Sequence, residues 1–194
     1  MGKAIERLAR AMAVIGGVAL TLLVILVCVS VLGRGGNTLG HSDWLTGLVP
    51  GLAEGLIGSG IGPVQGDFEI VEAGVAFAIF AFLPICQILG AHATVDVFTS
   101  FLSPRVNKII IAFWEVILTG IIILITVRLY DGMMSKVSNG ETTFLLQFPV
   151  WWAYAASFVA SMVAVIVGIY CAIARVAGVI TGKDYMPRSE GAVH

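Results

Sequence analysis

Apolar residues run through this chain in four long blocks, separated by clusters of charge, glycine and proline. The blocks cover residues 11–33, 70–91, 107–129 and 149–174. Each holds about twenty residues or more, enough to cross a hydrocarbon core ~30 Å thick at ~1.5 Å per residue. The pattern predicts an all-α integral membrane protein. It has four transmembrane helices, short amphipathic helices at the interface and one membrane domain.

The breaks between blocks carry patterns of their own. In residues 34–69, Leu45, Leu48, Val49, Leu52, Leu56 and Ile57 recur at helical spacing after Ser42-Asp43, a fitting N-cap. Pro50 and repeated glycines argue against a long regular helix there, so a broken interfacial helix or a tucked loop is expected. In residues 94–104, Val95, Phe98, Phe101 and Leu102 share one face, with Asp96, Thr99, Ser100 and Ser103 opposite. This predicts a helix lying on the membrane surface and closed by Pro104. Residues 131–148 are polar enough to leave the bilayer. Pro149 suits the first turn of the fourth helix, and Trp151, Trp152 and Tyr154 form an interfacial aromatic belt.

Composition agrees: 58% hydrophobic, 12% charged and mean hydropathy +0.99 lie far outside the globular range. A net charge of −1 gives no footprint for nucleic acid. Lysine and arginine are distributed unevenly. Lys3, Arg7, Arg10, Arg105, Lys108, Arg175, Lys183 and Arg188 fall on one side of a four-crossing topology, and Arg34, Arg128 and Lys136 on the other. The positive-inside rule then places both termini in the cytoplasm. The first block is too long for a signal-peptide core and no small-x-small site follows it, so it reads as a retained helix.

Candidate chemistry is sparse. Cys28, Cys86 and Cys171 all lie in apolar blocks without metal-ligand spacing. Glu115, beside Trp114 in the third block, is an ionisable group within a membrane helix and the default place to look for function. It reads either as a snorkelling or paired structural residue, or as the ion site of an autonomous four-helix channel or exporter. Glu69 and Glu72 open the second block one turn apart, and a metal site there lacks a third ligand. His92 stands alone at a membrane edge, whereas a haem anchor needs paired axial histidines, so a redox-anchor role is the weakest reading. Ala160, Ala164 and Gly168 belong to a ladder of small residues in the fourth block. Such a ladder admits a close helix neighbour, either within the chain or from another protein. No catalytic motif is present, so no enzyme and no cofactor is expected.

Several of these features together resemble the small permease subunit of tripartite ATP-independent periplasmic (TRAP) transporters. They are Arg34, the Glu69/Glu72 pair, Leu89-Gly90-Ala91-His92-Ala93-Thr94-Val95-Asp96, Leu102-Ser103-Pro104-Arg105, and Gly140-Glu141 with Phe148-Pro149-Val150-Trp151-Trp152-Ala153-Tyr154. The resemblance covers roughly residues 11–175, with two departures. The segment 35–66 is longer than usual in that family, and Gly66-Asp67-Phe68 stands where a tryptophan is often found.

The resemblance implies a multi-pass protein of the bacterial inner membrane, embedded in lipid. It would work beside a large TRAP permease subunit and a periplasmic substrate-binding protein. The large subunit would carry the substrate and sodium sites, and this chain would be a fixed brace during sodium-driven import of an organic solute, an organic acid by preference. Arg34, Glu69, Glu72, His92, Asp96, Glu115, Pro149, Trp151, Trp152, Ala160, Ala164 and Gly168 are then interface or structural candidates.

Overall fold

A computed structural model of the chain describes residues 2–90 and 104–182. The helices among them are α1 (Gly2–Gly40), α2 (Asp43–Leu48), α3 (Pro50–Gly58), α4 (Asp67–Leu89), α5 (Pro104–Asn139) and α6 (Trp151–Thr181). Four of these, α1, α4, α5 and α6, are long and apolar enough to cross a membrane. Pro104 begins α5, and the rest of the surface helix expected over 94–104 lies outside the described residues, as do His92 and Asp96.

Three helices are longer than the apolar blocks suggest, α6 simply running on to Thr181 rather than ending at residue 174. α1 starts at Gly2 rather than residue 11 and continues through Gly33, Gly35 and Gly36 to Gly40. An interior glycine costs a helix about 1 kcal/mol relative to alanine, which is why this region reads as broken. Here the glycines admit neighbouring backbone. A Cβ on Gly33 would lie 2.0 Å from the Gly62 carbonyl oxygen, and one on Gly40 would lie 3.2 Å from the Ile57 side chain. The segment after α1 is therefore a pair of short helices and an irregular return stretch folded back along the α1 extension. Ser42 caps α2 as its sequence predicts, accepting from the Leu45 amide at 3.4 Å. α5 likewise runs on through Asp131 to Asn139, because nothing in that polar stretch stops a helix before Gly140, which takes φ +63°.

α1 and α4 pack antiparallel in a register that holds along their shared length. Ser30 meets Asp67, Leu23 covers Gly74, Gly16 meets Ala81, and Ala9 shares a buried cluster with Ile88. Successive partners are seven residues apart on both helices, the repeat of a left-handed coiled seam. At Gly16 the approach is closest, since a Cβ there would lie 2.8 Å from the Ala81 Cβ.

The remaining contacts arrange the long helices as a layer. α4 packs on α1 and on α6, and α5 packs extensively on α6 alone. α6 also touches the N-terminal part of α1, where Ala9, Val167 and Cys171 are fully buried together. Polarity is turned inside out relative to a soluble bundle. Ser30, Gln87, Glu115, Thr119, Thr126, Ser157 and Ser161 are buried, while large apolar residues such as Val14, Leu22, Phe113, Leu124 and Ile173 are exposed. Such a distribution is stable when the surrounding solvent is lipid.

Candidate functional site

Side chains with chemistry gather at two levels: the end where α4 starts, and, toward the end where α4 finishes, the packed faces of α4, α6 and α5. At the first level α1 and α4 are clamped together. The Ser30 hydroxyl donates to Asp67 Oδ2 at 2.5 Å and accepts from the Val64 amide at 3.2 Å. Asp67 Oδ1 accepts from the Phe68 amide at 2.9 Å. Arg34 Nη2 lies 3.6 Å from Asp67 Oδ2, with its guanidinium 5.7 Å from the Phe68 ring centroid. Arg34, Asp67 and Phe68 thus form one unit. Asp67 and Phe68 belong to the Gly66-Asp67-Phe68 stretch that departs from the resemblance, and sequence reasoning gave them no role.

Glu69 has a different task. Its two carboxylate oxygens accept from the Leu145 and Leu146 amides at 2.6 and 3.0 Å, holding the loop between α5 and α6 against the start of α4. That loop folds as a short hairpin. Thr142 bridges Pro149, the Thr143 amide donates to the Phe148 carbonyl at 3.0 Å, and the Val150 amide donates to the Glu141 carbonyl at 3.0 Å. Pro149 therefore sits in the bridge, and α6 begins at Trp151, two residues later than expected. Leu146 seats over Gly66, where a Cβ would lie within 2.4 Å of its side chain. Phe144 at the loop tip is 89% exposed. Lys136 Nζ donates to Glu141 Oε2 at 2.5 Å, and that bond, with a second from Asn139, holds the Glu141 carboxyl below its ordinary range.

Between α4, the hairpin and α6 opens a cleft of about 480 Å³. Glu69 and Glu72 line its rim, Phe80 and Phe148 its apolar walls, and Tyr154 and Ser157 the α6 side. Glu72 is exposed, and among the described residues it has no hydrogen bond or ion pair. The two acidic residues that look alike in sequence are thus unlike in place: Glu69 is bound to its own chain and Glu72 is unpaired. Trp151 and Trp152 meet edge to face at 6.2 Å, and both remain exposed.

At the second level, Glu115 of α5 pairs with Arg175 of α6, Oε2 to Nε at 3.0 Å. Their side chains are 4% and 12% exposed. A carboxylate and a guanidinium taken from water together are tolerable in an apolar layer, whereas either alone is not. Ala160, Ala164 and Gly168 are buried, Ala160 in one cluster with Ala81 of α4 and Met12 of α1. The fully buried Gln87 amide of α4 occupies the space a Cβ on Gly168 would need, 2.8 Å from Nε2. On the other side the Thr119 hydroxyl of α5 donates to the Gly168 carbonyl at 3.2 Å. Gln87 and Thr119 were not singled out from the sequence, though a lone amide in an apolar block was the available signal. Among the described residues no three His, Cys, Asp or Glu side chains come together as a metal centre would require.

A family model described as "Tripartite ATP-independent periplasmic transporters, DctQ component" matches residues 60–178. The match covers α4, α5, the hairpin and nearly all of α6. It begins within the last few residues of the long segment after α1, so it is narrower than the span of the resemblance in sequence. No curated protein and no solved structure matches the chain.

Proposed function

The chain belongs to the DctQ family, a small component of TRAP transporters, and from that premise we propose that it is the scaffold subunit of a sodium-driven importer. In this reading it braces a large permease that takes an organic solute, an organic acid by preference, from a periplasmic binding protein. Substrate and sodium are held by the permease. The chain lies in the bacterial inner membrane with both termini in the cytoplasm, as the distribution of lysine and arginine favours.

The observation that carries the reading is the use made of the intramembrane polar groups. Glu115 is engaged by Arg175, and Thr119 by Gly168. Such pairing suits a rigid support better than a site that must take up and release an ion. A layer with exposed apolar faces also suits a component that lies against another integral protein. The test is uptake in liposomes carrying the permease and its binding protein, with and without this chain. Sodium-dependent uptake is expected only when the chain is present. Solute or ion flux through the chain alone, lost on Glu115→Gln, would instead make it an autonomous channel or exporter.

A further inference from the structure

The cleft between α4, the hairpin and α6 has the features of a cation site, and none of the described residues supplies the cation. Glu72 lies five residues past the start of α4 and Ser157 six past the start of α6, about 8–9 Å along each helix from the same end. They share a depth at which an exposed carboxylate facing lipid is costly. Ser157 is 2% exposed, lines the cleft, and its hydroxyl has no hydrogen-bond partner among the described residues. The acidic rim is thus joined by a buried, unsatisfied polar group, and aromatic walls complete the cleft. Lys136 is engaged by Glu141 and Arg34 by Asp67, so neither is free to neutralise Glu72.

Building on the scaffold reading above, we propose that this cleft receives the guanidinium of an arginine from the large permease subunit. A planar fork of five N–H donors reaches a carboxylate and a neighbouring hydroxyl at once, and its faces stack on aromatic rings such as Phe80 and Phe148. A lysine ammonium satisfies the charge but not the walls. The pairing gives the subunits a fixed register along the membrane normal, which apolar contact alone does not set.

The experiment is co-purification of the permease with this chain in mild detergent, comparing wild type with Glu72→Gln, Glu72→Asp and Ser157→Ala. Because Glu72 has no partner among the described residues, Glu72→Gln is expected to leave the melting temperature of the isolated chain unchanged while lowering permease recovery at least about tenfold. Glu72→Asp should retain part of the recovery, and Ser157→Ala should lower it less than Glu72→Gln. Unchanged recovery with Glu72→Gln overturns the proposal. So does loss of a bound aminophospholipid, seen by native mass spectrometry, from a Glu72→Gln complex that stays whole. Failure of the wild-type chain to bring down any permease would instead count against the scaffold reading itself.

Discussion

α5 and α6 are both long and apolar enough to cross a membrane, yet they hold opposite places in the layer. α6 has neighbours on two sides and meets them with small residues, Ser157, Ala160, Ser161, Ala164 and Gly168. α5 has one principal neighbour and meets it with a narrow seam of Ala112, Glu115, Thr119, Ile122 and Thr126, spaced alternately three and four residues apart. Length and apolarity decide that a helix crosses. The positions of its few small and polar residues decide where it sits among the others, because in lipid there is no hydrophobic drive to bring helices together.

The sharpest way to break this contrast is the Glu115–Arg175 ion pair between the two helices. Glu115→Leu leaves Arg175 buried without its partner and should destabilise the chain by about 3–5 kcal/mol. The double variant Glu115→Leu/Arg175→Met should recover most of that loss. Denaturant titration in detergent micelles measures both. If the single and double variants are equally unstable, the seam is held by shape and not by charge.

Two glycines provide a smaller, matched test. On α6, Gly168→Leu drives a side chain into Gln87 and should cost about 1–3 kcal/mol through overpacking. On α5, Gly120 has nothing within 4 Å of the place a Cβ would occupy, so Gly120→Leu should not lower the melting temperature and, by removing an interior glycine, should raise it slightly. Equal effects would mean that the edge of the layer is as crowded as its centre.

The smallest effect is local. Glu69→Ala removes the acceptor for two hairpin amides, so hydrogen exchange at Leu145 and Leu146 should accelerate while the helices keep their protection. Loss of protection throughout α4 would show that the hairpin is part of the core.

The crossings were legible in the sequence because twenty apolar residues in a row leave the chain few alternatives. The helix ends were not. Gly33, Gly36 and Gly40 read as breakers, and only the structure shows that α3 and the irregular stretch after it lie against them. The seven-residue seam of Ala9, Gly16, Leu23 and Ser30 was equally hidden, because on an all-apolar helix the buried face and the lipid face share one alphabet. Arg34, Glu69 and Glu115 were identified as residues of interest, but their partners were not, since Asp67, Leu145 and Arg175 are distant in sequence. The glycine-to-histidine turn after the second block, the most specific piece of the resemblance, lies outside the described residues.

The register of the α1–α4 seam has one more consequence. With Ser30 level with Asp67, residues 31–40 of α1 overtop the shorter helix by about 15 Å. α4 alone is about as long as a hydrocarbon core is thick, so ten residues of α1 extend past the length that α4 accounts for, packed against α3. The molecule therefore has a lopsided skyline: a turret over one edge and a low parapet, tipped by Phe144, over the other.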